Sequence, residues 1–268
     1  MPQFESLTVL FPMYNEEAYI EPAVNAARTV CQHLVREREV TDYEILIVDD
    51  ASVDRTAVIA NRLAERDTHI RVIRHPVNRK LGGCLKTGFS AARGELVLYS
   101  DADLPFDLYE IVRACRLLRT HQADAISGYR LHRTAEGWRR MLYSAIWNAL
   151  VRTTFGLPQR DVNFSFKLVR RSVFDHVVLT SEGSFIDAEL LIQLDRLGFR
   201  VLQIGIDYFP RDRGISTLAS WSVIHAMLRE LFERRRVLRQ IERLPESDVA
   251  GARERLTSPA ARMDSANS

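Results

Sequence analysis

The run YEILIVDDASVD, residues 43–54, decides the fold class of this 268-residue chain. Its first six residues are mostly apolar and favour a strand, which Asp49 and Asp50 end. Asp54 then stands at the position expected for the N-cap of a helix over about residues 54–66. A strand that leads through an acidic turn into a helix is the repeating unit of a parallel α/β sheet.

The same alternation continues on both sides of this run. Strands are predicted at residues 7–11, 70–73, 96–99 and 123–129, and helices at residues 18–37, 80–93 and 107–119. This pattern indicates a mostly parallel sheet with helices on both faces, and such sheets bind ligands at the carboxyl ends of their strands. Polar or glycine residues follow four of the strands, at Asn15-Glu16, Asp49-Asp50, Gly82-Gly83 and Asp101-Ala102-Asp103.

The second half of the chain is less regular. Helices are predicted at residues 138–154, 187–197 and 220–238, and strands at residues 164–169 and 200–209. We find no internal repeat and no linker, so one domain is predicted over residues 1–240. From residue 245 to residue 268 the chain is polar and rich in Ala, Ser, Arg and Glu, which predicts a disordered tail.

Composition excludes several classes of protein. A hydrophobic content of 46% is too high for a mostly disordered chain, and 37 basic against 35 acidic residues give no sign of a nucleic-acid partner. The three cysteines show no CxxC spacing, so a disulfide framework or zinc knuckle is not expected, and a reducing, cytoplasmic setting fits best. The start lacks a signal-peptide pattern, and no apolar run reaches the roughly 18 residues of a transmembrane helix.

Asp101 and Asp103 are candidate metal ligands. Two carboxylates about 4 Å apart repel by about 4 kcal/mol at a surface-like dielectric unless a cation lies between them. A hard divalent ion, Mg²⁺ or Mn²⁺, would relieve that repulsion and would also bind phosphate oxygens. The alternative is a solvated strand end. The fully apolar strand before the two residues makes the metal site as good an interpretation as the solvated strand end.

Asp50 and the glycines of residues 80–88 allow two readings each. A carboxylate after the second strand could accept hydrogen bonds from a ribose or a base, or it could only cap a turn. The run KLGGCLKTG fails as a Walker loop because Leu85 precedes Lys86-Thr87 where a glycine is required. Glycines that open a helix can still present N–H groups to a phosphate, whereas the simpler reading is a tight turn.

Four motifs together carry a family resemblance. FPMYNEE at residues 11–17, IVDDASVDRT at 47–56, NRKLG at 78–82 and YSDADLP at 99–105 occur in this order. The chain resembles family 2 glycosyltransferases with the GT-A fold, an α/β fold with a Rossmann-like, mostly parallel sheet flanked by helices. Its motifs are most similar to those of polyprenyl-phosphate sugar transferases of the dolichol-phosphate mannose synthase and dolichyl-phosphate glucosyltransferase types. The resemblance covers about residues 5–220.

The resemblance implies a division of the domain and a role for individual residues. It implies a nucleotide-binding half at about residues 5–130, an acceptor half at about 131–220 and an amphipathic helix at about 220–240. The metal, Mg²⁺ or Mn²⁺, would be held by Asp101 and Asp103. The nucleotide sugar would be bound by Pro12, Tyr14, Asn15, Glu16, Asp50, Lys80, Gly82, Asp101 and Ser216.

Three further residues, Asp161, Asp187 and Arg211, are implied as catalytic. Arg211 and Ser216 stand in RDRGIS, residues 211–216, which resembles the R-x-x-G-x-S motif of the family that contacts the diphosphate. Asp161 begins DVNFSFK, where Ser165 replaces the glycine of the D-x-x-x-G-F-K pattern. Asp187 resembles the acidic helix start that holds the sugar in the family, although a carboxylate there could instead complement the helix dipole.

The expected reaction is metal-dependent, inverting transfer of a sugar from a UDP- or GDP-linked donor to a polyprenyl phosphate. The alternatives are transfer to a soluble or protein acceptor, a non-catalytic protein that binds nucleotide sugars and, least favoured, a nucleotidyltransferase. Residues 138–154 and 220–240 combine apolar faces with arginines, so they could lie on an anionic membrane, or they could pack on the domain. The expected location is cytoplasmic, with attachment to the inner face of the membrane if these two stretches lie on it.

Overall fold

The computed structural model describes residues 4–131, 138–209 and 221–254, and within them every side chain except those of residues 138–140, 221–224 and 254. The first half alternates strands and helices as predicted. The elements are β1 (Phe4–Met13), α1 (Ile20–Arg36), β2 (Val40–Asp49), α2 (Thr56–Arg66), β3 (Ile70–Arg74), α3 (Lys80–Ala91), β4 (Leu96–Tyr99), α4 (Glu110–Thr120) and β5 (Ala125–Arg130).

The second half adds four helices and two strands within the described residues. These are α5 (Trp138–Phe155), β6 (Lys167–Arg170), α6 (Ile186–Leu197), β7 (Val201–Ile206), α7 (Trp221–Arg239) and α8 (Glu246–Glu254), with a 3₁₀ turn at Arg171–Asp175. Among the helices that the structure describes, none combines the length and the apolar character needed to cross a membrane.

The seven strands form one sheet in the order β3-β2-β1-β4-β6-β5-β7. Strands β1 to β4 pair in parallel, and β5 pairs in parallel with β7, whereas β6 runs antiparallel to both of its neighbours. The reversal of β6 brings its first residue, Lys167, beside Tyr99, the last residue of β4. The start of β6 therefore lies at the same edge of the sheet as the carboxyl ends of the other strands.

Both faces of the sheet are buried, which explains the continuous apolar runs of its strands. In β1, Phe11 packs in the core on the side of α1 and α4, while the adjacent Leu10 packs on the side of α3 and α6. Both side chains are fully buried. The two cores fix each strand in register, because a slip of one residue would exchange the two faces.

Part of the predicted disordered tail is a helix. Residues 246–254 form α8, whose Val249 and Ala252 are buried in the core. Arg253 makes two hydrogen bonds of 2.7 Å to the carboxylate of the fully buried Asp124. The prediction was wrong for these nine residues because average composition hides two apolar contacts and one buried ion pair.

Candidate functional site

The loops after β1 and β2 are joined by hydrogen bonds at the carboxyl edge of the sheet. The Asp50 N–H donates to the Met13 carbonyl at 2.8 Å, and the Asn15 N–H donates to the Ser52 hydroxyl at 2.9 Å. The side-chain oxygen of Asn15 accepts from the Val53 N–H at 2.9 Å. Asn15 has a φ of 56°, in the left-handed region that asparagine adopts more readily than most residues.

Residues 12–16 lie beyond the stretch of β1 that pairs with β4, and several of their side chains are exposed. The Leu10 carbonyl accepts from the Ser100 N–H after β4, so Pro12, two residues later in β1, faces the same side. Strand β4 pairs with residues 7–10 of β1, so the missing N–H of Pro12 costs no bond in that ladder. Tyr14 is exposed, and Glu16 is anchored through its N–H, which donates to the Thr56 hydroxyl at 2.8 Å. The predicted residues Pro12, Tyr14, Asn15 and Glu16 therefore form one rim of the edge.

Asp50 is buried among hydrogen-bond donors. Its Oδ1 lies 2.7 Å from His75 Nδ1 and accepts from the Arg79 N–H at 2.8 Å, while its carbonyl accepts from the Asn78 side chain at 3.3 Å. His75 follows the end of β3 and is itself buried, and its Nε2 lies 2.9 Å from the Thr87 hydroxyl on α3. The carboxylate thus joins β2, β3 and the loop before α3.

The residues Asp50, His75 and Cys84 place three ligand-type atoms within 4.8 Å of one another. Burial raises the pKa of the Cys84 thiol, and the negative charge of Asp50 raises it further. A thiol is also a soft ligand, which Mg²⁺ and Mn²⁺ disfavour relative to carboxylate oxygens. The hydrogen bonds of Asp50 and His75 account for the cluster without an ion.

Gly82 approaches the backbone of another loop. Its N–H donates to the Glu182 carbonyl at 2.9 Å, and a Cβ at this position would lie 2.4 Å from the Ser181 carbonyl oxygen. Only glycine fits this contact without a backbone shift. Lys80, two residues earlier, is exposed at the start of α3 with a φ of 59°.

Asp101 and Asp103 follow β4 and are both half-buried. The Tyr99 hydroxyl donates to Asp101 Oδ1 at 3.4 Å, and the Asp101 carbonyl accepts from the Leu104 N–H at 3.3 Å. Carboxylate oxygens are the donors that Mg²⁺ and Mn²⁺ prefer. This pair therefore fits a hard divalent ion better than the Asp50 cluster does.

Asp161 forms a buried ion pair with Arg130. The Arg130 Nε lies 2.7 Å from Asp161 Oδ2, and an Nη lies 2.9 Å from Asp161 Oδ1, so both carboxylate oxygens accept from one guanidinium. The guanidinium also lies 5.8 Å from the ring centroid of Phe164 and 5.3 Å from that of Tyr208. Bidentate pairing and two aromatic faces fix the position of this arginine.

Asp187 forms a second buried pair, with Lys167. The Lys167 Nζ lies 2.9 Å from Asp187 Oδ1 and donates to the Phe164 carbonyl at 2.6 Å. Burial raises the pKa of Asp187, and the ammonium of Lys167 opposes that shift. The neighbouring Glu189 differs, because its carboxylate accepts from the N–H groups of residues 180 and 181 and holds that loop on α6.

The structure therefore brings most of the predicted site residues to one edge of the sheet. Arg211 and Ser216 lie outside the described residues. Sequence reasoning missed the partners of three buried carboxylates, which are His75, Arg130 and Lys167. All three stand at strand ends of this edge, so the rule that located the aspartates could also have located their partners.

Comparison with known proteins agrees with this architecture. The model of the family described as Glycosyl transferase family 2 matches residues 8–178. The chain belongs to glycosyltransferase family 2. The family resemblance predicted from the four motifs is thereby confirmed.

Two relatives of this family 2 chain are each 32% identical to it. One is Glycosyltransferase AglD of Haloferax volcanii, aligned over 76% of this chain and 33% of its own length. The other is an undecaprenyl-phosphate 4-deoxy-4-formamido-L-arabinose transferase of Pseudomonas paraeruginosa, aligned over 66% of this chain and 51% of its own length. The chain thus spans a third to a half of these two relatives.

Solved structures confirm the predicted GT-A fold of this family 2 chain. Glucosyl-3-phosphoglycerate synthase from Mycobacterium tuberculosis superposes with a TM-score of 0.65 and 21% identity, over 91% of this chain and 81% of the synthase chain. That crystal contains Mn²⁺, UDP-glucose and phosphoglyceric acid. At this identity the likeness establishes the fold alone.

Proposed function

We propose that this family 2 glycosyltransferase transfers a sugar, with inversion, from a UDP- or GDP-linked donor to a polyprenyl phosphate. The name of the Pseudomonas relative supports the acceptor class. The main support for a phosphate acceptor is that neither candidate base is available, because Asp161 and Asp187 are each buried in an ion pair with a basic side chain. An alcohol acceptor needs a general base, whereas a phosphate acceptor is already ionised at pH 7.

The donor would bind at the carboxyl edge of the sheet. Pro12, Tyr14, Asn15 and Glu16 would line the nucleotide pocket, with Asp50, Lys80 and Gly82 on its other side. Asp101 and Asp103 would hold Mg²⁺ or Mn²⁺, which supplies positive charge to the leaving diphosphate when it is bound. Arg211 and Ser216 would contact the same diphosphate.

The two buried ion pairs would serve the acceptor side by holding shape. Arg130 fixes Asp161, and Lys167 fixes Asp187, and all four side chains are buried, where an unpaired charge is costly. Neither carboxylate would accept a proton from the acceptor. Both would orient the loop of residues 161–166, on which the sugar and the acceptor phosphate would meet.

The donor half of the proposal is tested by a screen of radiolabelled nucleotide sugars against a short-chain polyprenyl phosphate. UDP-glucose with Mn²⁺ is the first pair to test, because the mycobacterial crystal contains both. Label that enters the organic phase would support the proposal. Transfer only to water-soluble acceptors would overturn the lipid acceptor, and binding of donor with no transfer would overturn the enzyme.

The metal site is tested by Asp103→Ala. This variant should lose metal-dependent transfer. Asp107→Asn is the matched control, because Asp107 lies exposed in the same region of the chain and its carboxylate accepts from the Tyr109 N–H at 2.9 Å, a bond that an amide oxygen can also accept. Metal-dependent transfer retained by Asp103→Ala would contradict the proposed metal ligands.

We also propose that the chain works at the inner face of the membrane. Helix α5 buries Val151 and Phe155 but exposes Leu142 and Ile146, which are four residues apart on one face. Helix α7 buries Leu231 and Leu238 but exposes Phe232, with the Arg235 guanidinium 5.8 Å from its ring. Arg239 of α7 donates to the Thr154 carbonyl of α5 at 2.6 Å, which joins the two helices.

Each helix therefore packs on the domain with one side and presents apolar and basic side chains with the other. Anionic headgroups would attract the arginines, and the apolar side chains would enter the interface. Vesicles of anionic lipid should sediment the chain in a salt-sensitive manner. Ile146→Glu should weaken sedimentation, and Val58→Glu, at an exposed valine of α2, should not. Equal sedimentation of both variants would contradict this surface.

A further inference from the structure

A chain of hydrogen bonds runs from β2 through β3 to α3. It begins at the carboxylate of Asp50, passes through the ring of His75 and ends at the hydroxyl of Thr87, with distances of 2.7 and 2.9 Å. Asp50 and His75 are only 2% and 6% exposed. A buried chain of this kind restricts the position of every member.

The hydrogen-bond partners of His75 determine which ring nitrogen must carry a proton. A carboxylate only accepts, so the Nδ1 of His75 must carry a proton that it donates to Asp50. Nε2 can then accept from the Thr87 hydroxyl, which has its own proton to donate. Both ring nitrogens are satisfied in the neutral ring, and the ring orientation is fixed from both ends.

The Asp50 carboxylate also holds the loop that precedes α3. Oδ1 of Asp50 also accepts from the Arg79 N–H at 2.8 Å, and the Asp50 carbonyl accepts from the side chain of Asn78 at 3.3 Å. Asn78 and Arg79 directly precede α3, which begins at Lys80. The loop therefore rests on a carboxylate whose own position depends on His75.

We propose that His75 is a positioning residue for recognition of the base and ribose of the donor nucleotide. It holds the Asp50 carboxylate, and through it the loop of residues 78–80, in the form that contacts the nucleoside. This inference rests on the proposed function, in which the donor is a nucleotide sugar. It assigns no contact to the diphosphate, which Asp101, Asp103 and Arg211 would hold independently of His75.

The test compares a ligand that has a nucleoside with one that lacks it. UDP, GDP and inorganic pyrophosphate are titrated with Mn²⁺ into the full chain by calorimetry. His75→Ala should weaken binding of the nucleoside diphosphate by about tenfold, since a hydrogen bond to a charged group is lost. The affinity for pyrophosphate should not change. His75→Asn, whose amide can replace the Nδ1 donor, should restore affinity to within about threefold of wild type.

The control is the other histidine that flanks β3. His69 precedes this strand at its opposite end, is bonded to Asp67 and stacks on Tyr43, so His69→Asn should change neither titration. Thr87→Val keeps the buried volume and removes the second partner of the ring. Thr87→Val should weaken binding of the nucleoside diphosphate by about threefold. This variant provides the test if His75→Ala does not fold.

The outcomes separate this inference from the proposed function. Equal affinity of wild type and His75→Ala for UDP and GDP would overturn the role of His75, as would an equal loss of nucleotide and pyrophosphate binding. Unchanged nucleotide binding by Thr87→Val would overturn it where His75→Ala is unfolded. A wild-type chain that binds neither UDP nor GDP would overturn the donor proposal itself, and this inference with it.

Discussion

Lys167→Met removes a buried charge and keeps the aliphatic stem. Lys167 and Asp187 are 2% and 3% exposed, and their charged atoms are 2.9 Å apart. At an effective dielectric of 20 the attraction is about 6 kcal/mol, most of which offsets the desolvation of the two ions. Without the ammonium, Asp187 keeps the burial that raises its pKa and loses the group that opposes it.

The size of the effect follows from the cost of protonating Asp187. Its ordinary pKa is 3.8, and holding a carboxyl neutral at pH 7 costs about 1.4 kcal/mol for each pH unit above that value. The upper bound is about 4 kcal/mol at pH 7, within the 3–5 kcal/mol or so found when a buried pair is broken. The folded variant binds a proton that the unfolded chain releases, so the deficit should shrink as the pH falls.

Urea denaturation followed by circular dichroism between pH 5 and pH 8 measures this deficit against wild type. Lys86→Met is the matched control, because Lys86 makes a partly exposed pair with Glu182 at 3.3 Å and should contribute less than about 1 kcal/mol. The double variant Lys167→Met/Asp187→Leu should recover much of the lost stability. A deficit below about 1 kcal/mol at pH 7, or one that does not change with pH, would contradict a stabilising role of Lys167 beside a buried Asp187.

Three further predictions concern stability. Gly82→Ala should lower the free energy of unfolding by about 1–3 kcal/mol, because its Cβ would meet the Ser181 carbonyl, and an unchanged melting temperature would contradict this packing. Burial opposes ionisation of Glu39, but hydrogen bonds from two arginines of α4 lower its pKa below the ordinary 4.5. Its contribution is thus present above pH 4.5 and lost as the pH falls through the lowered value, so Glu39→Gln should flatten the acid side of a stability profile. Arg130→Ala should cost about 3–5 kcal/mol in chemical denaturation by leaving Asp161 uncompensated, with Arg130→Lys intermediate; equal stability of the two variants would argue against bidentate pairing.

The fold of the first half could be predicted from local pattern alone. Apolar runs such as residues 45–48 end at acidic or polar residues, and each boundary of β1 to β5 lies within about three residues of its expected place. Helix α2 begins at Thr56, two residues after the predicted start, and its N-cap is Arg55 instead of the predicted Asp54. The Asp54 carboxylate accepts from the Thr56 N–H at 2.9 Å, and this local bond holds the chain in a turn before the helix. The reversed strand β6 could not be placed, because its position depends on pairing with residues 96–99, about 70 residues earlier.

The candidate site could be predicted as a set of motif residues but not as a set of contacts. Strand-end position identified Asp50 and Asp101, and motif spacing identified Asp161 and Asp187. Their burial could not be read from the sequence, because a charged side chain is usually exposed unless a partner is present. The partners also stand at strand ends, but which partner pairs with which aspartate depends on the order of the strands in the sheet, which local pattern does not reveal.

The position of β6 has a consequence for biosynthesis. Strands β1 to β4 can pair as soon as residue 99 has left the ribosome, because they are neighbours in the sheet and contiguous in the chain. Strand β5 is made next, and within the part of the chain that the structure describes it pairs with β6 and β7, so it has no partner in that nascent sheet until these two strands emerge. The backbone of β5 therefore stays unpaired while at least 37 more residues are translated, from the end of β5 to the start of β6. An arrest at this stage would leave an unpaired strand that chaperones must shield.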